Sequence, residues 1–310
     1  MEIKYAPILL FTYCRLTNTK ETVEHLLHNK ESKDSDLIIY SDAPKNERAV
    51  DGVRATREYL YSIRGFKSVT VVERVKNYGL ANSIVDGVTS VVNKYGRVIV
   101  LEDDLSVSPY FLKYMNEGLD RYENREDIIS IHGYIYPVKK KLPEALLIKG
   151  ADCWGWATWK RGWDLFNFDA KSLYEQIKEC HREKEFDFNF TYPYMDMLKG
   201  QINGVSNSWA VCWYASAFLN NKYTLYPGQS LVQLNDIEGI GSTHGSTPKE
   251  YLVCVKDGPI NWDLVDDVSE SMDGRKAIEK FFKSIRTWRY YIPNSLKKIL
   301  KPLFRLWNLT

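Results

Sequence analysis

The sequence predicts an α/β fold with a Rossmann-like, mostly parallel central sheet and a second region appended to it. In residues 1–127, short apolar runs typical of buried strands alternate with segments whose apolar residues recur at helical spacing. In residues 128–265 this alternation stops, and the chain becomes rich in aromatic residues, glycine and short strands. With 310 residues, of which 44% are hydrophobic, the chain can bury a large core.

Four strands are predicted in the first region, and polar residues follow three of them. The strands cover residues 7–12, 36–40, 68–72 and 97–101. Spacings such as that of Val23, Leu26 and Leu27 predict helices between them, and Ser108-Pro109 predicts a further helix start. Because ligands of open α/β sheets bind outside the carboxyl ends of the strands, the residues after the first, second and fourth strands form the candidate site.

Glu102, Asp103 and Asp104 follow the fourth predicted strand directly. Three adjacent carboxylates repel one another unless a cation or hydrogen bonds compensate them, and such oxygen ligands suit Mg²⁺ or Mn²⁺ bound to a diphosphate. The alternative is a structural acidic turn that caps the next helix. The position of the triplet at the end of a βα series favours the metal site.

Residues 100–105, together with 108–111, resemble the metal-binding segment of glycosyltransferases of the A fold. They are similar in particular to the N-acetylglucosaminyltransferase I family and to bacterial surface-polysaccharide glycosyltransferases that are similar to it. The resemblance extends over roughly residues 5–245, and residues 12–15 and 77–83 match family motifs in order and spacing. It implies a glycosyltransferase A type fold, a UDP-sugar as donor and Mn²⁺ or Mg²⁺ as cofactor.

Carried over residue by residue, the resemblance makes Asp104 the metal ligand and places Glu102 and Asp103 at ribose or donor-sugar hydroxyls. Arg15 would then stabilise the charge that grows on the departing β-phosphate, unless it is an ordinary surface-loop residue. The other donor contacts implied are Cys14 after the first strand, Asp42 near the uracil, and Asn77, Leu80 and Ser83 before the metal motif.

Trp154-Gly155-Trp156 is a further candidate, because aromatic faces stack on sugar rings and glycine lets the backbone approach a ligand closely. The resemblance places this segment against the donor sugar and the acceptor; the alternative is that the tryptophans pack in the core. His244 ends a Gly-rich loop, residues 235–245, and could add an imidazole to the metal or phosphate. Its alternative is solvent exposure without a function.

The general base is the missing element. An inverting transfer needs a carboxylate near the acceptor hydroxyl to remove its proton. The related eukaryotic enzyme has a Trp-Asp pair where this sequence has Ala210 as the second residue. Asp196 and Asp152 are the substitutes that we consider, with Asp236 or Glu238 as further alternatives. An inactive or donor-hydrolysing protein also stays open.

The C-terminal segment, residues 266–310, is predicted to be a basic amphipathic tail. Residues 275–310 hold ten Lys or Arg against one acidic residue, so the remainder is acidic and a poor nucleic-acid binder. Apolar residues from Ile285 to Trp307 recur near helical spacing with lysines between them, which is typical of a helix at an anionic membrane surface. The alternative is a helix that docks on the body of the protein.

Five widely spaced cysteines without a CxxC pair indicate reduced thiols. The first residues lack the features of a secretory leader, and the chain has no run of about 18 consecutive apolar residues. We therefore expect a cytoplasmic protein, peripheral on the cytoplasmic face of the membrane through its tail.

Together these observations predict a metal-dependent, inverting hexosyl- or N-acetylhexosaminyltransferase. It would move a sugar from a UDP-sugar to a glycan or lipid-linked oligosaccharide in surface-polysaccharide synthesis, with residues 1–127 binding the donor and 128–265 forming the acceptor side of the same domain. A nucleotidyltransferase acting on a sugar phosphate is one alternative, although residues 17–20 are not the Gly-rich loop that it usually needs. A non-catalytic glycan-binding module, which would need neither metal nor nucleotide, is another.

Overall fold

The computed structural model describes residues 5–235, 249–264 and 269–286. Its strands are β1 Ile8–Thr12, β2 Asp36–Ser41, β3 Ser68–Glu73, β4 Arg97–Glu102, β5 Leu105–Val107, β6 Ile128–His132, β7 Ala145–Lys149, β8 Trp156–Trp159, β9 Tyr223–Pro227 and β10 Val232–Leu234. Its helices are α1 Leu16–Leu27, α2 Val50–Leu60, α3 Leu80–Tyr95, α4 Phe111–Arg121, α5 Lys160–Trp163, α6 Ala170–Glu179, α7 Glu183–Phe186, α8 Tyr194–Ile202, α9 Trp209–Leu219 and α10 Met272–Ile285.

Eight of these strands form one mixed sheet in the order β3-β2-β1-β4-β8-β6-β9-β7. Strands β3, β2, β1 and β4 run parallel, and α1, α2 and α3 supply the crossovers that parallel neighbours require. Strand β8 joins β4 and β6 antiparallel, and β7 joins β9 in the same way. The predicted α/β class is confirmed, with a Rossmann-like half that the second region extends within the same sheet.

Helix α3 leads directly into β4, the strand that ends at the acidic residues. Ile84, Val88 and Val91 recur at helical spacing and are buried against the sheet. The helix ends at Gly96, whose φ of +81° lies in the left-handed region that glycine adopts without steric cost. The Gly96 N–H donates to the Val92 carbonyl at 2.9 Å, so the chain turns directly into β4.

The residues after β4 are fixed from two sides. On one side β8 pairs antiparallel with β4, with Trp156 opposite Val100. On the other, β5 pairs with β10, and the Asn235 N–H donates to the Asp104 carbonyl at 2.8 Å. Because these contacts come from distant parts of the chain, the turn between β4 and β5 is held by the tertiary structure.

The second region has an aromatic core that reaches the first. The rings of Trp156, Trp163 and Trp213 pack together with centroids 5.3 to 5.8 Å apart. The Trp163 indole N–H donates to the Thr89 hydroxyl of α3 at 2.9 Å. The two predicted regions therefore share one sheet and packed side chains.

Helix α10 lies in the predicted tail and packs on β7. Ile278 and Phe282 are 1% and 0% exposed, and Arg275, 4% exposed, pairs with Glu270 at 3.1 Å. The described start of the tail is thus a docked helix. Residues 287–310, which contain most of the predicted membrane-binding pattern, lie outside the described residues. Within the described part of the chain, every helix is too short or too polar to cross a bilayer.

Candidate functional site

The carboxyl ends of β1, β2 and β4 lie side by side at one edge of the sheet. Strand β1 pairs with both neighbours, with Thr12 opposite Ser41 and Phe11 opposite Glu102. The polar segments that follow these strands therefore lie next to one another, as the parallel arrangement requires. This edge is where the predicted donor residues come together.

Arg15 forms ion pairs with the acidic turn, which we define as residues 102–104. Arg15 Nη2 donates to Asp103, whose side chain is 4% exposed, and the same nitrogen lies 3.1 Å from Asp104 Oδ2. The Thr19 hydroxyl makes a longer contact to Asp103, at 3.4 Å. Because the Thr19 N–H bonds to the Arg15 carbonyl at the start of α1, the β1–α1 connection holds the turn in place.

Burial and negative charge change the protonation of the acidic turn. Burial, with the charges of Asp104 and Asp103, raises the pKa of Glu102 to about 8. Burial also raises the pKa of Asp103 to about 6, against the lowering effect of Arg15. At neutral pH Glu102 is therefore mostly protonated and can donate a hydrogen bond, whereas Asp103 is mostly ionised and paired with Arg15.

The acidic turn is suited to bind a divalent cation together with the phosphates of a substrate. The Asp104 side chain is 19% exposed, compared with 4% for Asp103. Over residues 5–235, 249–264 and 269–286, no three His, Cys, Asp or Glu side chains are arranged to hold a metal by themselves. Mg²⁺-type sites commonly use one or two carboxylates together with substrate phosphates. Asp104 has the chemistry and the access to be such a protein ligand.

Asp42 orders the loop that precedes α3. Its buried carboxylate accepts hydrogen bonds from the Asn77 side-chain amide at 3.0 Å and from the N–H groups of Tyr78 and Gly79, each at 2.9 Å. Gly79 has a φ of +72° and caps α3. The structure thus brings the predicted residues Asp42 and Asn77 together, and the contacts described for Asp42 hold the loop in position.

The remaining predicted donor residues lie around these two loops. Cys14 and Leu80 are half-buried, and Ser83 is buried in the first turns of α3. A Cβ on Gly52 would lie 2.8 Å from the Cys14 carbonyl, so α2 packs closely against the end of β1. Burial, followed by the charge of Asp103, raises the pKa of the Cys14 thiol and keeps it protonated.

Trp156 belongs to the aromatic core. It is 1% exposed, and its ring lies 5.5 Å from that of Trp209 and 5.8 Å from that of Trp213. The prediction that Trp156 stacks on a sugar is corrected, because its ring is buried among these tryptophans and a ligand cannot reach it. Gly155 has a φ of +63°, and a Cβ there would lie 2.8 Å from Val232 Cγ2. Close packing therefore accounts for this glycine without a ligand.

Trp154 retains accessible surface. It is half-buried, and its ring lies edge-on to those of Tyr134 and Tyr251 with centroids 4.9 and 5.7 Å away. Its backbone N–H donates to His132 Nε2 at 3.0 Å. Of the two predicted tryptophans, Trp154 is the one that a sugar can reach.

The two candidate bases lie in different surroundings. The Asp152 side chain is 17% exposed and accepts a hydrogen bond from the Tyr136 hydroxyl at 2.9 Å. The Asp196 side chain is 67% exposed in the first turn of α8 and lies 3.8 Å from Lys199. A carboxylate that must be held in one orientation is better supplied by Asp152.

The remaining alternatives for this role lie elsewhere. Ala210, where an acid was expected, is half-buried against the aromatic core at the start of α9. Asp236, Glu238 and His244 lie outside the described residues, so their predicted roles stay predictions.

The sequence analysis did not identify Thr19, His132, Tyr136 or Tyr226 as residues near the site. Thr19 had a local signal, because it follows Arg15 by four residues at the start of a predicted helix. The tyrosines had no local signal in the sequence, since they approach Asp152 only when distant segments of the chain pack together.

Comparison with protein-family models finds no match, and comparison with curated proteins finds none. Among solved structures, S. aureus TarS 1-349 is 11% identical over 76% of this chain and 61% of its own, with a TM-score of 0.42. The mannosyltransferase PcManGT from Pyrobaculum calidifontis, in complex with GDP-Man and Mn2+, is 13% identical over 43% of this chain and 37% of its own, with a TM-score of 0.31. A UDP-glucose pyrophosphorylase complexed with UDP-glucose is 10% identical over 72% of this chain and 90% of its own, with a TM-score of 0.35.

This chain thus spans 61% of the TarS structure and 37% of the mannosyltransferase structure. Its own fold is that of an α/β protein, and its acid-lined candidate site lies at the carboxyl edge of the parallel strands.

Proposed function

We propose that this protein is a metal-dependent glycosyltransferase that moves a sugar from a UDP-sugar to a glycan acceptor. The observation that carries the proposal is the contact of Arg15 with Asp103 and Asp104 at the carboxyl edge of β1 and β4. A cation and an accessible carboxylate meet there, at the place where open α/β sheets bind their ligands. The acidic motif and its companion segments support the same function through their resemblance to glycosyltransferases of the A fold.

Arg15 and Asp104 act on the diphosphate of the donor. As the sugar is transferred, negative charge grows on the β-phosphate of the leaving nucleotide, and a guanidinium at this position stabilises it. Asp104 would hold the Mn²⁺ or Mg²⁺, which supplies Lewis-acid stabilisation of the same oxygens. Arg15 also offsets the charge of the turn, which keeps the site folded before the donor arrives.

The nucleoside and the sugar use the neighbouring loops. The loop that Asp42 fixes carries Asn77 and leads to Leu80 and Ser83, which the proposal places along the nucleotide. Burial raises the pKa of Glu102, and we place this carboxyl group at a ribose or sugar hydroxyl of the donor.

The proposal also specifies the class of acceptor and the cellular process in which the transfer takes place. We place the reaction in surface-polysaccharide synthesis, as an inverting hexosyl or N-acetylhexosaminyl transfer to a glycan or lipid-linked oligosaccharide. Residues 287–310 hold five basic and no acidic residues, which supports work at an anionic membrane surface on the cytoplasmic side.

Calorimetric titration with UDP tests the proposal. The wild-type protein is expected to bind UDP in the presence of Mn²⁺ and to lose this binding in excess EDTA. Asp104→Asn keeps the shape of the side chain but removes its charge, so we expect it to weaken Mn²⁺-dependent binding at least about tenfold, or 1.4 kcal/mol.

Asp51→Asn is the matched control, because Asp51 is 84% exposed on α2 and paired with Arg54. It should bind UDP as the wild type does. Equal UDP affinity in wild-type protein and Asp104→Asn would refute the assignment of Asp104.

The same titrations separate the alternatives. Binding of oligosaccharide without any binding of UDP, with or without Mn²⁺, would support a glycan-binding module. A nucleotidyltransferase would convert UTP and a sugar 1-phosphate into a UDP-sugar and release pyrophosphate. The connection between β1 and α1, residues 13–15, is short and has no glycine, so it provides no Gly-rich phosphate cradle.

A further inference from the structure

Two buried tyrosines hold the Asp152 carboxylate. The hydroxyl of Tyr136 donates to Asp152 Oδ2 at 2.9 Å, and that of Tyr226 donates to the same oxygen at 3.4 Å. The two tyrosines are 7% and 5% exposed. Burial, followed by the charge of Asp152, raises the pKa of both hydroxyls, so they stay protonated as donors. Asp152 is thus fixed from the protein side.

The Asp152 carboxylate keeps some surface that a ligand can reach. A carboxylate has about four lone-pair positions. The two tyrosines donate to Oδ2, and the Cys153 N–H donates to Oδ1 at 2.8 Å. The Cys153 thiol, a weak donor, also hydrogen-bonds to this carboxylate, and a ligand hydroxyl can replace it. His132 Nε2 lies 4.0 Å from Oδ1, but it accepts the Trp154 N–H and therefore carries no proton of its own in the neutral ring. Since the Asp152 side chain is 17% exposed, a hydroxyl group from a ligand can reach the carboxylate.

Aromatic rings stand beside this carboxylate. Trp154, two residues after Asp152, is half-buried, as is Tyr251. The Tyr134 hydroxyl donates to the Tyr251 carbonyl at 2.7 Å, and this bond ties the two rings that flank Trp154 to each other. Fixed, partly exposed aromatic rings of this kind bind the apolar faces of sugars.

This aromatic surface adjoins the acidic turn. Strand β8 begins at Trp156, opposite Val100, so the residues that lead into β8 run beside the last residues of β4. Burial, followed by the charge of Asp152, raises the pKa of the Cys153 thiol in this segment. The negative charge of Asp152 disfavours an anionic ligand at this surface.

We propose that Asp152, Trp154 and Tyr251 form the acceptor subsite, where an uncharged sugar ring lies on the aromatic rings and one hydroxyl donates to Asp152. This inference rests on the proposed function. In the transfer, the acceptor oxygen bonds to the anomeric carbon of the donor sugar while its proton passes to Asp152. The bond from that carbon to the β-phosphate oxygen breaks, and its electron pair leaves with UDP. Tyr136 and Tyr226 are positioning residues, because they orient the carboxylate without touching the substrate.

Saturation-transfer NMR tests the binding half. The probes are neutral p-nitrophenyl hexosides and N-acetylhexosaminides, with p-nitrophenyl glucuronide as the anionic comparison, all in the presence of UDP and Mn²⁺. At least one neutral glycoside is expected to receive saturation from the wild type, and the glucuronide none. Trp154→Ala should weaken that glycoside about tenfold, at the upper end of a single aromatic contact. Tyr61→Ala, at a residue 60% exposed on the surface, is the control and should bind normally.

Kinetics with the bound glycoside and a panel of UDP-sugars test the chemical half. Asp152→Asn is expected to lower kcat about 10²- to 10⁴-fold, the range for loss of a general base, and to leave UDP affinity unchanged. Tyr226→Phe should lower kcat without raising the acceptor KM, whereas a general loss of structure would also weaken UDP binding. Wild-type kcat in Asp152→Asn, or a bound glycoside that the wild type does not glycosylate, would overturn the assignment of the base.

The two proposals fail in different ways. A wild-type protein that does not bind UDP contradicts the proposed function itself. Normal UDP binding and sugar transfer, combined with unchanged glycoside binding in Trp154→Ala, contradicts only the acceptor subsite.

Discussion

Replacing Arg15 with methionine tests the electrostatics of the acidic turn. The Arg15 side chain is 11% exposed and that of Asp103 is 4% exposed. Two further donors to Asp103, the Thr19 hydroxyl and the Tyr13 N–H, make long contacts at 3.4 and 3.5 Å. The substitution therefore leaves a buried, ionised carboxylate without its counter-ion, which costs about 3–5 kcal/mol. Because Asp104, a second partner of Arg15, is 19% exposed, we expect the lower end, about 3 kcal/mol, at pH 8.

The cost should fall in acid. The pKa of Asp103, about 6 in the folded protein, lies above the value of about 3.9 for an unfolded Asp. Protonation therefore favours the folded state, and the penalty of the buried charge appears as the pH rises between these two values. At pH 5 Asp103 is mostly protonated when folded, so Arg15→Met should cost only about 1 kcal/mol, chiefly through lost packing of the arginine stem.

Urea unfolding at pH 8 and pH 5, in EDTA and without nucleotide, measures these free energies. Arg54→Met is the control, because Arg54 and Asp51 are 67% and 84% exposed and their pair should contribute little at either pH. Equal destabilisation by Arg15→Met at the two pH values would refute the reasoning. So would a double variant with Asp103→Asn that recovers no stability at pH 8.

Two further predictions concern buried carboxylates. Asp42→Ala removes the acceptor for the N–H groups of Tyr78 and Gly79, and should cost about 2–3 kcal/mol in urea unfolding and weaken UDP binding; unchanged stability would contradict this. Burial raises the pKa of Asp187 to about 7, so its ionisation destabilises the folded protein as the pH rises. The variant Asp187→Asn can still accept the hydrogen bond from the Met195 N–H. It should stabilise the protein by about 2 kcal/mol at pH 8 and little at pH 5. Equal shifts in melting temperature at the two pH values would contradict this prediction.

The first half of the sheet was predictable because its signals are local. Apolar runs bounded by polar residues placed β1 to β4 within one residue of their observed ends. The meeting of Arg15 with the acidic turn then followed from topology, since parallel strands bring their carboxyl ends to one edge.

The acceptor side depends on long-range contacts that carry no local pattern. The burial of Trp156 is set by its pairing opposite Val100 and by the packing of α9. The tyrosines around Asp152 come from segments that meet only when the sheet is assembled. Hydrophobic spacing cannot report such contacts, and this is why the sequence alone does not choose among Asp152, Asp196, Asp236 and Glu238 as the base.

The most direct test of the account is the position of Mn²⁺ in crystals grown with UDP. Anomalous scattering at the manganese edge locates the ion independently of the protein coordinates. We expect the ion within about 2.5 Å of an Asp104 carboxylate oxygen, as for hard cations with oxygen ligands, and the diphosphate beside Arg15. UDP bound at this edge with no ion near Asp104, or an ion and nucleotide bound elsewhere on the protein, would contradict the account.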